Sequence, residues 1–185
     1  MVVFAKICLL GDGQVGKTSL RNQYMGKGVP GDYLPTLGAD FASTQVNIPF
    51  NNTKKSIRFQ IWDLAGQPTF NQIRALYYRQ TAGALIVYDI NDRNSLQNLR
   101  SWVQELTQHM ATPSVCINIL GNKSDLRDEN SITTLEAETY ISEQIIPRFK
   151  NIEGEIKHFV TSAKTGENVE EAFITLGRKL LNRAT

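Results

Sequence analysis

The feature that most constrains the fold of this chain is the segment at residues 11–18, which fits the pattern G-x-x-x-x-G-K-[ST]. The apolar run at residues 2–10 precedes it and is typical of a buried parallel strand. A short helix is predicted after it, at residues 18–25, and Gly26 and Gly28 would end that helix. Strand, glycine-rich loop and helix is the order that the pattern requires. Such a loop turns its backbone N–H groups toward phosphate oxygens, and the helix N-terminus adds positive potential.

The loop pattern also assigns roles to individual side chains. Lys17 should reach the β- and γ-phosphates of a nucleotide and is a catalytic candidate, and the Thr18 hydroxyl should bind Mg²⁺. The predicted phosphate-binding residues of this segment are Asp12, Gly13, Gln14, Val15, Gly16, Lys17, Thr18 and Ser19. A glycine-rich turn without a ligand is the alternative.

Composition indicates an ordinary globular chain. We expect one domain over residues 1–185, since hydrophobic residues make up 41% and charged residues 21%. The net charge of +2 gives no reason to expect nucleic-acid binding. Cys8 and Cys116 lie in apolar runs and are interpreted as buried core residues of a reducing compartment. Because no signal peptide and no apolar run near ~18 residues is evident, we expect a soluble, cytoplasmic protein.

Strand and helix patterns alternate along the chain. Further strands are predicted at residues 39–49, 54–62, 83–89, 114–120 and 156–161, and helices at residues 93–110, 134–149 and 168–182, the last capped by Asn168. The first two of these strands form the one antiparallel hairpin. The pattern predicts a three-layer α/β fold with a six-stranded, mostly parallel sheet and helices on both faces. Ligands of such sheets bind beyond the carboxyl ends of the strands.

A second motif follows the strand that ends near Trp62, at residues 63–67. Asp63 is placed to hold Mg²⁺ through a water. Gly66 has no side chain to keep its N–H from a γ-phosphate, and Gln67 is a catalytic candidate that would orient the attacking water. Turn and surface roles for Asp63 and Gln67 are the alternative.

A third motif predicts which base is bound. Asn122, Lys123 and Asp125 follow a buried strand, and the Asp125 carboxylate can accept hydrogen bonds from both N1–H and the 2-amino group of guanine. Adenine offers neither donor, so such a site discriminates strongly. The Lys123 stem can lie along the base. The remaining guanine-binding candidates follow the last strand and are Ser162, Ala163 and Lys164, with the Ala163 N–H directed at the guanine O6.

With these motifs the chain resembles the Ras superfamily of small GTPases and, within it, the Rab family. The stretches that indicate Rab are residues 37–41, 61–67 and 77–79. The resemblance implies a Ras-like P-loop NTPase fold and GTP or GDP as the ligand. It makes Thr36 a Mg²⁺ and γ-phosphate ligand in the GTP state, and it makes residues 29–41 switch I and residues 63–79 switch II.

The same resemblance implies partners. It implies effectors, an exchange factor and an activating protein. It also implies a monomer on the cytoplasmic side of membranes that hydrolyses GTP slowly and has a role in vesicle trafficking. The effector-facing residues implied are Phe41, Trp62 and Tyr77. Ordinary packing is the alternative for Phe41 and Tyr77.

The sequence departs from the Rab pattern in three places. Val29 stands where many relatives carry an aromatic residue that stacks on guanine, which predicts weaker stacking. Pro68 follows Gln67 where an acidic residue is usual, and it disfavours the α conformation at Gln67 while suiting the start of a helix. Residues 179–185 contain no cysteine, whereas Rab proteins usually end in prenylated cysteines. Truncation of a lipidated tail and membrane association through a partner both stay open.

Two rival functions come from other classes. A P-loop kinase would use the same phosphate loop, but it would leave residues 122–125 and 162–164 without a purpose. A scaffold that holds nucleotide with little hydrolysis would fit Pro68, although the presence of Thr36, Asp63 and Gln67 argues against it.

Overall fold

A computed structural model of the chain describes residues 2–28, 35–51 and 53–184. Within these ranges, six strands form one sheet in the order β2-β3-β1-β4-β5-β6. Only β2 runs antiparallel to its neighbour, and the pairs β1–β3, β1–β4, β4–β5 and β5–β6 are parallel. The strands are β1 (Val2–Leu10), β2 (Ala39–Phe50), β3 (Thr53–Leu64), β4 (Gly83–Asp89), β5 (Cys116–Asn122) and β6 (Lys157–Val160).

Helices cover both faces of this sheet. They are α1 (Lys17–Tyr24), α2 (Asn71–Tyr77), α3 (Arg93–His109), α4 (Thr134–Tyr140) and α5 (Val169–Arg183). Alternate residues of β1 enter different cores: Ile7 packs with residues of α1 and α5, and Cys8 packs with residues of α3 and α4. The predicted three-layer architecture is confirmed. Among the described residues, no helix is long and apolar enough to span a membrane.

The register of the strands brings their carboxyl ends to one edge. Leu9 pairs with Asp63 across β1 and β3, and Asp89 pairs with Asn122 across β4 and β5. The loops that leave these strands therefore start at the same level.

The helix predicted at residues 134–149 is shorter than expected. Regular α-helix ends at Tyr140, and the stretch Ile141–Ile145 is π-helical. Pro147 has no N–H to continue the helix. The Arg148 side chain donates instead to the carbonyl of Glu143, four residues before the proline.

Two smaller differences concern the starts of helices. Asn168 occupies the N-cap position of α5, as predicted, but its side chain makes no capping hydrogen bond. Its φ of +54° is left-handed, and its Nδ2 donates to the carbonyl of Val160 at 2.7 Å. The sequence indicates only that a helix could start at Pro68. In the structure a 3₁₀ turn at Pro68–Phe70 leads into α2. Cys8 and Cys116 are buried and free, as expected.

Candidate functional site

The predicted phosphate loop joins β1 to α1 and is shaped by its glycines. Gly11 has φ +137°, and a Cβ there would lie 2.1 Å from the Val87 carbonyl oxygen, so only glycine fits. Lys17 lies at the start of α1 and is 6% exposed. Its Nζ donates to the carbonyls of Gly11 at 2.7 Å and Asp12 at 2.6 Å. Burial lowers the Lys17 pKa to about 8, against the opposing attraction of Asp63 and Asp12.

Three oxygen-bearing side chains converge beside Lys17. The Thr18 hydroxyl donates to Asp63 Oδ2 at 2.5 Å and lies 3.1 Å from the Thr36 hydroxyl. Asp63 ends β3 and is fully buried, and burial raises its pKa against the opposing Thr18 hydrogen bond and the charges of Lys17 and Arg21. Within the described residues its Oδ1 has no hydrogen-bond partner. The structure thus brings Thr18, Thr36 and Asp63 together, from α1, the segment before β2 and β3.

Arg21 belongs to this neighbourhood and was missed in the sequence. It lies one helical turn after Lys17 and forms an ion pair with Asp40 at 2.7 Å; its distance to Asp63 is 3.9 Å. Residues four apart share a helix face, so the position of Arg21 relative to Lys17 was a usable signal.

The segment after β3 lies against the phosphate loop. A Cβ on Gly66 would lie 2.4 Å from the Asp12 carbonyl carbon and 2.4 Å from the Gly13 nitrogen. Gln67 is extended, with φ −72° and ψ 141°, as expected for a residue before proline. Its Oε1 is buried and has no partner among the described residues. Gly66 therefore stands next to the phosphate loop, and Gln67 follows it in the chain.

Asn122 connects three loops on the other side of the site. Its Nδ2 donates to the Val15 carbonyl at 2.9 Å, and its Oδ1 accepts from the Ala163 N–H at 3.1 Å. Gly16 leaves room for this amide, since a Cβ there would lie 2.3 Å from Asn122 Nδ2. Asn122 thus fixes the phosphate loop to the loop after β6.

The other guanine-binding candidates lie in the loops after β5 and β6. Ser162 donates to Asp125 Oδ1 at 2.6 Å. Lys123 has φ +73°, and its Nζ pairs with Asp89 Oδ2 at 2.7 Å. Lys164 is exposed. Asp89 was missed, although a carboxylate at the end of β4 could have been found from the rule that parallel strands end at one edge.

The three aromatic residues implied as effector-facing form one cluster. The ring centroids of Phe41 and Trp62 are 5.0 Å apart, and those of Trp62 and Tyr77 are 4.9 Å apart. Phe41 is 47% exposed. On the same face of β1 and β3, Lys6 lies over the Trp62 ring.

Some predicted residues take other positions or lie outside the description. Val29 and residues 30–34 of the expected switch I lie outside the described residues. The Asp12 carboxylate points at α3, where Trp102 Nε1 and Asn98 Nδ2 donate to it, each at 2.7 Å. Only the backbone of Asp12 is therefore left to bind a phosphate. The remaining candidates, Gly13, Gln14, Val15 and Ser19, lie in the loop and the first turn of α1.

Comparison with known proteins shows which sequences this chain resembles. A family model described as the Ras family matches residues 6–182. Over 179 residues, 97% of this chain and 73% of the relative, the chain is 37% identical to Ras-related protein Rab-21 of Homo sapiens. Over 178 residues, 96% of this chain and 76% of the relative, it is 36% identical to Ras-related protein Rab-4B of Homo sapiens.

Proposed function

The chain belongs to the Ras family and is a GTPase related to the Rab proteins, and we propose that it is a slow guanine-nucleotide switch in membrane trafficking. Its sheet and helices form the Ras-like fold. The observation that carries the proposal is the convergence of Thr18, Thr36 and Asp63 beside Lys17, since it joins both expected switch segments to the phosphate loop.

The phosphates of GTP would bind the backbone of residues 12–19 and the Lys17 ammonium. Lys17 donates to two loop carbonyls. A γ-phosphate is a better acceptor for an ammonium than a neutral carbonyl, so we expect Lys17 to move to it. A dianionic phosphate also offsets the burial that lowers the Lys17 pKa.

The donor set of the site fits Mg²⁺. Hydroxyl and carboxylate oxygens are the ligands this hard cation takes, and Asp63 is a buried carboxylate with one oxygen lacking a partner among the described residues. We infer that Thr18 and Thr36 would hold the ion directly and Asp63 through a water. When bound, the ion offsets the negative charge of the β- and γ-phosphates.

Hydrolysis would depend on Gly66 and Gln67. The Gly66 N–H would grip the γ-phosphate, and Gln67 would orient the attacking water. We expect slow turnover because both buried arginines near the site are already engaged: Arg21 pairs with Asp40, and Arg74 binds Glu105. An arginine supplied by an activating protein would accelerate hydrolysis by ~10³–10⁵.

Guanine selectivity would come from Asp125, with Asn122, Lys123, Ser162, Ala163 and Lys164 completing the base site. Asn122 holds the phosphate loop and the loop after β6 together. Base and phosphate recognition would therefore share one rigid frame.

The switch itself would act through residues 36–41 and 63–79. Loss of the γ-phosphate removes the ligand that Thr36 and Gly66 share, which would release both segments. Effectors would read the cluster of Phe41, Trp62 and Tyr77. We propose a single domain over residues 1–185, a monomer that depends on an exchange factor and an activating protein, at the cytoplasmic face of membranes.

Single-turnover hydrolysis of GTP tests this proposal, beside binding of GTP, GDP and ATP. We expect tight binding of guanine nucleotides only. Gln67→Leu should lower the hydrolysis rate by at least about tenfold, whereas the exposed Gln72→Leu in α2 should leave it unchanged. Equal rates for wild type and Gln67→Leu would contradict the role of Gln67, and equal affinity for ATP would contradict the base site.

A further inference from the structure

Arg74 is an arginine of α2 that lies buried beneath the segment carrying Gln67. It is 2% exposed. Its Nη1 donates to the carbonyl of Ala65 at 2.8 Å and to the carbonyl of Gln67 at 2.9 Å. These two carbonyls stand on either side of Gly66. One nitrogen therefore fixes the backbone around the residue whose N–H would meet the γ-phosphate.

The guanidinium is itself held by α3. Its Nε and Nη2 donate to the two oxygens of Glu105 at 2.8 Å and 2.9 Å, a bidentate pair. Tyr78 also donates to Glu105, at 2.8 Å. The guanidinium lies over the Trp102 ring, 4.5 Å from its centroid. Since the charge is paired and stacked, Arg74 has one well-defined position.

One of these α3 residues, Trp102, also contacts the phosphate loop. Trp102 Nε1 donates to Asp12 Oδ1 at 2.7 Å, so a single indole touches both the guanidinium and the loop. On the loop side, the backbone of Asp12 comes so close to Gly66 that no Cβ would fit between them. Arg74 thus connects the two backbones that must face one γ-phosphate.

We propose that Arg74 is a positioning residue for GTP hydrolysis in this protein. It holds the carbonyls of Ala65 and Gln67 so that the Gly66 N–H and the Gln67 side chain share one arrangement relative to the phosphate loop. Glu105 and Trp102 hold Arg74 in turn. The inference rests on the proposed roles of Gly66 and Gln67, but the order that Arg74 imposes on residues 65–71 can be measured without hydrolysis.

Arg74→Lys is the decisive variant, because lysine keeps the charge but cannot reach two carbonyls and both Glu105 oxygens at once. Arg100→Lys is the matched control, an exposed arginine on α3. Two readouts are taken with bound Mg²⁺: amide hydrogen exchange over residues 65–71 with a non-hydrolysable GTP analogue, and single-turnover hydrolysis of GTP. The dissociation constant of GDP is measured beside them.

For Arg74→Lys we expect at least about tenfold faster exchange over residues 65–71 and a fall in hydrolysis of roughly 10- to 100-fold, since small misplacements of reacting groups cost that much. GDP affinity should stay within about threefold of wild type. A residue of general structural importance would instead lower GDP affinity and the hydrolysis rate together. Arg100→Lys should match wild type in all three.

Unchanged exchange in Arg74→Lys overturns the proposal, and so does faster exchange with unchanged hydrolysis. If Arg74→Lys fails to fold, Glu105→Gln gives the same test, since it keeps one acceptor but loses the bidentate charge pair. A wild-type protein that binds GTP without hydrolysing it would refute the proposed roles of Gly66 and Gln67 instead, and unchanged exchange would still refute the positioning role of Arg74.

Discussion

At the residue scale, the proposed base site contains a carboxylate that a base with two neighbouring donors would satisfy. Asp125 Oδ1 already accepts from Ser162, so the carboxylate is oriented before any ligand arrives. Guanine presents two donors on one edge, and a carboxylate is the side chain that accepts from both. Selectivity for guanine would thus depend on a single charged group with a fixed direction.

Asp125→Asn should change which base is bound. The amide can accept only one hydrogen bond from guanine in place of two charged ones, so GTP affinity should fall by roughly 10- to 100-fold, equivalent to about 1.5–3 kcal/mol. Xanthine has a carbonyl in place of the 2-amino group, which the new amide N–H can meet, so affinity for xanthosine triphosphate should rise. Competition binding with both triphosphates measures this.

Glu129→Gln serves as the control for Asp125→Asn, because it removes an exposed carboxylate from the same loop region. It should leave the preference for GTP unchanged. If both variants lose GTP affinity equally, charge alone explains the effect and Asp125 does not select the base.

At the element scale, α5 packs so closely on the sheet that a Cβ at Gly177 would meet side chains of β2 and β3. A Cβ on Gly177 would lie 2.3 Å from Ile48 Cδ1 and 3.0 Å from Phe59 Cζ. Gly177→Ala gains up to about 1 kcal/mol in helix propensity, but overpacking costs about 1–3 kcal/mol. We expect a net loss of about 1 kcal/mol in the free energy of unfolding, measured by urea denaturation with saturating GDP.

Ile48→Val supplies the control, because it removes the Cδ1 atom that Gly177→Ala would strike. The double variant should be more stable than the sum of the two single changes predicts. Simple additivity would show that the helix shifts away from the sheet instead of clashing with Ile48.

A second element, β6, contributes a buried histidine between β4 and α4. His158 Nε2 and Tyr88 Oη share a hydrogen bond of 3.0 Å, and its Nδ1 lies 3.8 Å from Glu138. Burial lowers the His158 pKa from its usual 6.5, although Glu138 opposes this. As pH falls through 6.5 the unfolded chain binds the proton first, so stability decreases toward the lower folded pKa.

His158→Gln should therefore show a smaller fall in Tm between pH 7.5 and pH 5.5 than wild type. Glutamine can still bond to Tyr88 but does not titrate in this range. His109→Gln changes the exposed histidine and should leave the fall as in wild type. If the Tm of His158→Gln falls as much as that of wild type over this pH range, the pH dependence belongs to other groups.

The elements differ in how much the sequence reveals of them. The phosphate loop, the buried strands and the single antiparallel pair follow from contiguous patterns, and the sheet confirms them. The early end of α4 also had a visible cause in Pro147. The contacts of Arg74 with Glu105 and of Trp102 with Asp12 have no visible signal in the sequence. They join residues 31 and 90 positions apart and depend on how α2 and α3 pack. Periodicity predicts the face a residue occupies but not its partner across the fold.

At the scale of the whole molecule, the parallel strands bring four separate loops to one edge, and only direct contacts between those loops make them one site. Asn122 connects the phosphate loop with the loop after β6, and Thr18 connects it with Thr36 and Asp63. A ligand at this edge therefore binds to several elements at once. Its binding energy should appear as stability of the entire fold.

Metal removal should lower the stability of the GDP-bound protein as a whole. Without the ion, the buried Asp63 carboxylate and the phosphates face each other uncompensated, so nucleotide affinity should fall by at least about 30-fold, equivalent to about 2 kcal/mol. For a chain of this size that loss corresponds to a Tm lower by roughly 4–8 °C. Scanning calorimetry in Mg²⁺ and in EDTA, with GDP held constant, measures it.

The variant Asp63→Asn separates the ion from other effects of EDTA. Its amide carries no charge that burial would penalise and is a weaker ligand, so its Tm should differ little between Mg²⁺ and EDTA and should exceed that of wild type in EDTA. Excess Mg²⁺ added after EDTA should restore the wild-type Tm. If wild type has the same Tm in both conditions, then Thr18 and Asp63 do not hold an ion on which GDP binding depends. The burial of Asp63 would in that case need another compensating charge, and Lys17 and Arg21 are the two cations whose attraction already opposes the rise in its pKa. Arg21 lies 3.9 Å from the Asp63 carboxylate.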